Sequence, residues 1–221
     1  ISFPPRPRIH KEGSEIFIGD IHGSSQKLLH FLLKEGALTL KSRAYIEFAA
    51  LYNKKGLAYT EFEKFKAIIG QAEKGPSTGA NFILIGDTLA DRGVNDAITL
   101  LIYHHLHELG INFKILLSNH DLGFLRNVIG GKFTRGKLQS ILVDNEYRFA
   151  NSMLNMAEWL AQSREENKSE EDETPLEAFI NNCFNEAYLP HLQLVFFTTF
   201  HNHDGLNSVL IGTHAPIPDL N

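Results

Sequence analysis

Four short apolar runs constrain this chain more than any other feature, because each closes on a small residue and then on side chains that bind metal or handle phosphate. They are Ile16-Phe17-Ile18-Gly19-Asp20-Ile21-His22-Gly23; Phe82-Ile83-Leu84-Ile85-Gly86-Asp87, followed by Asp91-Arg92-Gly93; Lys114-Ile115-Leu116-Leu117-Ser118-Asn119-His120-Asp121; and Ser208-Val209-Leu210-Ile211-Gly212-Thr213-His214. A short apolar run closed by Gly or Ser reads as a buried strand. Open α/β sheets gather their ligands at the carboxyl ends of strands. Four such ends predict one shared site.

The rest of the chain supports an α/β reading. Ser24 or Ser25 caps a helix with Leu28, Leu29, Leu32 and Leu33 on one face, and a second helix follows Gly93 and stops at Gly110. Strands alternating with helices imply crossover connections and a parallel or mixed sheet. Residues 37–79 form a helical insertion, in which Thr60-Glu61-Phe62-Glu63 is expected to act as a capping box. Residues 145–162 read as helix, 163–173 as a solvated acidic loop, and Thr174-Pro175-Leu176-Glu177 as a capped helix start. Two strands, 192–200 and 207–213, flank a hairpin turn at 201–205.

Bulk properties set limits. A chain of 221 residues can bury one substantial core. The net charge of −5 argues against a general nucleic-acid binder. No apolar stretch approaches the length of a membrane span. The single cysteine, Cys183, leaves no internal disulfide framework and suits a reducing, cytoplasmic compartment. The Pro-rich lead-in and the end at Asn221 read as cuts from something longer.

The strand-end residues fit one chemistry. Asp20 and His22, alternate residues at a strand exit, suit a first-row divalent ion. Asp87 can bridge two ions, with Asn119 and His214 completing the second position. Two such ions would lower the pKa of bound water toward ~7 and clamp a phosphate for in-line attack. His120 is the candidate general acid, with Asp91 orienting it. Arg92 offers a bidentate fork for phosphate oxygens.

Gly-Asp-x-His-Gly, Gly-Asp with Asp-Arg-Gly, and Asn-His-Asp together resemble the signature blocks of calcineurin-like metallophosphoesterases. The Asp-Arg-Gly form is similar to the phosphoprotein phosphatase branch, which includes the Ser/Thr protein phosphatases. The run from Leu189-Pro190 through a hairpin to His214-Ala215-Pro216-Ile217-Pro218-Asp219-Leu220 resembles that branch's C-terminal segment.

The resemblance covers residues 16–221. It implies an α/β sandwich of mixed sheets flanked by helices, with 1–221 as one catalytic domain. It also implies two divalent ions (manganese, with iron or zinc as other acceptable ions) and a phosphorylated protein substrate. Asp20, His22, Asp87, Asn119 and His214 would bind metal. His120 with Asp91 would supply the proton, and Arg92 and Asn119 would contact substrate. Divergent bacterial members include effectors delivered into host cells. A small-molecule phosphoesterase, for example one acting on dinucleoside polyphosphates, and a partner-binding pseudo-phosphatase are the alternatives.

Several positions depart from that pattern. The stretch Asp87-Thr88-Leu89-Ala90-Asp91 has one residue too many between its aspartates, so its loop must bulge. Ser118 stands for Gly, Asp121 for Glu, and Ala215-Pro216 for paired glycines. The family's last metal His and second phosphate-binding Arg have no counterpart, although His203 is a weak surrogate for the former. His104, His105 and His107 are expected on a solvated helix face, and Trp159 in the core.

Overall fold

The computed structural model describes residues 2–4, 6–19, 21–128, 150–167, 173–201 and 207–213. Its central sheet holds four strands in the order β1-β4-β5-β6: β1 (Glu15–Gly19), β4 (Asn81–Ile85), β5 (Phe113–Leu116) and β6 (Leu192–Gln193). All three pairings are parallel. The register sets Gly19 beside Ile85 and Ile85 beside Leu116, so three of the apolar runs end in one row. Adjacent strands lie ~4.8 Å apart, which brings the residues after these ends within reach of one another.

Burial follows from topology. β4 is flanked on both sides, and its Phe-Ile-Leu run is buried on both faces, as parallel strands require. Phe82 and Leu84 join the large core under the helices, whereas Ile83, Leu116 and Phe196 form a smaller cluster on the other face. Phe196 comes from an antiparallel pair, β7 (Phe196–His201) with β8 (Asn207–Gly212). Its ring also meets Phe17 edge-on at 5.4 Å.

The expected single strand at 192–200 is thus two. Leu192–Gln193 extends the central sheet, and Phe196 onward builds the hairpin over its face. The fourth apolar run, β8, belongs to this second sheet rather than to the row made by the other three. Among the described residues the central sheet is parallel, one of the two expected forms, and the antiparallel pairs stand apart from it.

Helices cover the other face. The first, α1 (Ser25–Lys34), is capped by Ser24, whose hydroxyl accepts the Lys27 N–H at 3.3 Å. Residues 37–79 contain β2 (Leu38–Thr39) paired with β3 (Glu73–Lys74), and two helices, α2 (Ser42–Tyr52) and α3 (Phe62–Ile69). The expected Thr60 cap does not form. A 3-10 turn at Tyr59–Glu61 precedes α3, and the Glu61 carboxylate accepts the Ala58 N–H. A tertiary reason is visible: Glu61 is drawn to Lys54, with Oε1 2.5 Å from Nζ.

Next comes α4 (Asp96–Glu108), capped by Asn95, which packs against α1, α3 and the later helices and is buried along most of its length. Its histidines do not form a solvated face. His104 packs on Phe179 and His105 meets the Ala72 carbonyl at 2.9 Å, both largely buried, while His107 remains exposed beside His191.

The fifth helix, α5, spans Asn119–Val128 and the sixth, α6, Asn151–Asn167. The polar stretch at 163–167 is therefore helical, since Ser163 is buried and Arg164 pairs with Glu177 at 2.6 Å. α7 (Pro175–Cys183) starts with the expected box: the Thr174 hydroxyl accepts the Glu177 N–H, and the Glu177 carboxylate accepts the Thr174 N–H at 2.8 Å. Trp159 is core, as expected, and donates to the Leu57 carbonyl at 2.9 Å. Among the described residues no helix is long and apolar enough to cross a membrane.

Candidate active site

The loops leaving β1 and β4 meet closely. A Cβ on Gly93 would overlap the Gly23 carbonyl, so the first and second signature blocks touch through bare backbone. The Gly23 N–H also donates to the Asp87 carbonyl at 3.0 Å. Among the described residues, the three non-glycines with left-handed backbone are His22 (φ 50), Asp87 (φ 49) and Ala90 (φ 52). Each such residue costs about 1–3 kcal/mol, and clustering of that strain marks a place where geometry is over-determined.

Side chains converge there. His22 Nδ1 lies 2.8 Å from Asp91 Oδ2 and 3.8 Å from Asp87 Oδ2. One donor atom from each of the three lies within 4.8 Å of the others. One imidazole nitrogen and two carboxylate oxygens are a donor set that first-row divalent ions accept, so these residues fit a metal. Arg92 is largely exposed, 67% for its side chain, with Nε 3.4 Å from Asp91 Oδ1. It is placed to reach outward from the cluster.

Asp91 sits differently from the expectation. Its carboxylate meets His22, the Arg92 N–H (2.7 Å) and the Arg92 side chain. His120 instead sets Nδ1 2.8 Å from the Ala90 carbonyl. A carbonyl only accepts, so Nδ1 carries the proton and Nε2 is the nitrogen left for proton transfer. Asn119 is exposed at the first turn of α5, beside His120. Asp20, His203 and His214 lie outside the described residues, as do 145–149 and most of the hairpin turn.

A set of buried side chains holds the loop between the aspartates, and sequence reasoning did not find their role. Asp121 Oδ1 accepts the Thr88 N–H (3.2 Å), the Thr88 hydroxyl (2.8 Å), the Leu89 N–H (3.1 Å) and the Tyr188 hydroxyl (3.0 Å). Its Oδ2 accepts from Ser118, at 2.6 Å from the hydroxyl. Asp96 Oδ2 accepts the Ala90 N–H at 2.9 Å. Ser152, on α6, accepts the Asp91 N–H at 3.0 Å.

Four consecutive N–H groups, 88 to 91, thus end on three side chains from α4, α5 and α6. Within this loop Ala90 makes a left-handed turn. Tyr52 of α2 adds a fifth support, since its hydroxyl accepts the Val94 N–H at 3.2 Å. Burial pushes the Asp121 carboxyl above its ordinary range against the pull of its hydrogen bonds, and pushes Asp96 up to about 7. Ser152 and Asp96 carry no sequence signal for this task, because a serine inside a helix and an aspartate in a first helical turn ordinarily face water.

The fold and this cluster define an α/β domain with a candidate metal centre at the carboxyl ends of parallel strands. Residues 81–220 match the WipA-like phosphatase domain, and the chain belongs to that family. Among solved structures, it is similar to the phosphatase domain of the Legionella effector WipB, with a TM-score of 0.66 and 24% identity. That likeness, which is one of fold, covers 84% of this chain and 63% of the other. No curated protein matches the sequence.

Proposed function

We propose that this chain is the catalytic domain of a metal-dependent phosphatase that hydrolyses phosphomonoesters on proteins. The observation that carries the reading is the convergence of His22, Asp87 and Asp91 within 4.8 Å, next to the loop that fixes His120. Membership of the WipA-like phosphatase domains supports phosphoester chemistry. The signature blocks support a calcineurin-like sandwich and two ions, with Asp20 beside His22 at the first, Asp87 as the bridge, and Asn119 and His214 at the second. The likeness to an effector's domain supports action inside a host cell.

Each described residue then has a task. His22, Asp87 and Asp91 would hold a divalent ion, manganese being the first to test. Such ions supply Lewis acidity and a nucleophilic water at neutral pH. Arg92, exposed beside the cluster, binds equatorial phosphate oxygens and sets the ester in line. His120 acts as the imidazolium: with its Nδ1–H held by the Ala90 carbonyl, it gives the Nε2 proton to the departing oxygen, because an alkoxide is too basic to leave unprotonated. The Asp121 and Ser152 contacts keep the loop from moving as charge shifts.

The test is hydrolysis, at matched manganese concentration, of a phosphopeptide panel against nucleotides and dinucleoside polyphosphates. Asp87→Asn and His120→Asn serve as controls. Turnover of phosphopeptides that both substitutions abolish is the expected result. Hydrolysis of nucleotides alone would sink the protein-substrate assignment, and no metal-dependent turnover at all would favour a binding module.

A further inference from the structure

The loop contains a link that none of the signature blocks provides. Asp96 Oδ2 accepts the Ala90 N–H at 2.9 Å, and the carbonyl of the same residue accepts from His120 Nδ1 at 2.8 Å. Between them lies a residue in left-handed backbone, φ 52, that glycine would adopt freely and alanine resists. Asp96 is fully buried, and its Oδ1 has no hydrogen-bond partner among the described residues. A buried carboxylate satisfied on one oxygen only is an expensive way to occupy a helix's first turn. Its Oδ2 meets the N–H of the residue that holds the imidazole, and the Ser152 side chain adjoins the same carboxyl.

We infer that Asp96 is a positioning residue for the proton donor: it holds Ala90 in its left-handed conformation, and the Ala90 carbonyl in turn fixes His120 with Nδ1 protonated and Nε2 facing the substrate. This inference rests on the proposed phosphatase reading. It assigns the orienting of His120 to a main-chain carbonyl, while the Asp91 carboxylate serves His22. Asp96 thereby secures the carbonyl on which His120 leans.

The experiment compares two leaving groups in the full chain with manganese. A phosphoseryl peptide needs a proton at its alkoxide, whereas 2,4-dinitrophenyl phosphate releases a weakly basic phenolate. Since general acid catalysis contributes about 10²–10⁴-fold, Asp96→Ala is expected to cost about 10- to 100-fold in kcat on the peptide and less than about threefold on the dinitrophenyl ester. Adding Ala90→Gly should recover most of the peptide activity, because glycine holds φ near 52 without help. Asp96→Asn, which keeps an oxygen acceptor, should stay within about threefold on both substrates, as orientation rather than charge is at stake.

Equal losses on the two substrates, or no rescue by Ala90→Gly, would overturn the inference. Should Asp96→Ala fail to fold, Asp96→Leu fills the space and carries the same comparison. Asp87→Asn separates the two levels. If it leaves both activities intact, the phosphatase reading has failed. If it abolishes both while Asp96→Ala lowers them in proportion, only the positioning role has.

Discussion

His22 Nδ1 and Asp91 Oδ2 stand 2.8 Å apart, although 69 residues separate them in the chain. The contact commits Asp91 to the candidate metal cluster rather than to His120. Asp91→Asn removes one charge and one oxygen donor from that cluster, and the loss of a group that supports a metal histidine ordinarily costs about 10- to 100-fold in affinity. Manganese binding measured by titration calorimetry is therefore expected to weaken by about that factor. An unchanged affinity with a fall in kcat alone would return Asp91 to His120.

Asp121 binds both ends of its surroundings, the loop at Thr88 and Leu89 and the π-helical turn at Phe184–Tyr188 through the Tyr188 hydroxyl. Asp121→Ala would leave several buried donors without a partner, each costing about 1–3 kcal/mol. The expected loss of stability is at least about 3 kcal/mol, read from the urea midpoint at constant m. A change below ~1 kcal/mol would mean that water or a shifted loop satisfies those donors.

Asp96 gives a pH prediction of definite sign. Burial, with the nearby Asp121 and Asp91 charges adding and the Ala90 N–H and Ser152 opposing, raises its carboxyl from 3.8 to about 7. The folded chain then keeps a proton that the unfolded chain has released. Stability from this group is full below the unfolded value and is lost as pH rises through the folded one. Asp96→Asn has no such proton. Relative to the parent chain it should gain up to roughly 4 kcal/mol between pH 4 and 8, measured by denaturation with metal chelated. Parallel profiles for the two proteins would refute the shift.

Much of this was legible from local rules. Apolar runs closed by Gly or Ser became β1, β4 and β5; β4 is apolar throughout because it is buried on both faces, whereas β1, at the sheet edge, leaves Phe17 exposed. Ser24 and Thr174 cap helices as read, since a cap is settled by two or three neighbouring residues. Thr60 failed for the opposite reason: Lys54 draws Glu61, and the α-helix starts one residue later than the local pattern expects. His104 and His105 looked solvated because a helix face has no label for what packs on it; Phe179 and the Ala72 carbonyl cover them.

The site divides in the same way. The sequence by itself determined which chemistry is possible, since the identities of His22, Asp87, Asp91, Arg92 and His120 and their places after strands are local facts. Only the tertiary structure decided who touches whom. Asp91 turned to His22, the Ala90 carbonyl accepted the His120 Nδ1–H, and Asp96, Asp121 and Ser152 came from three helices to hold one loop. Those choices depend on contacts across dozens of residues and on a left-handed turn at Ala90. No local rule ranks such packings, because their free energies differ by the few kcal/mol that burial and hydrogen bonding settle only once the whole chain has closed.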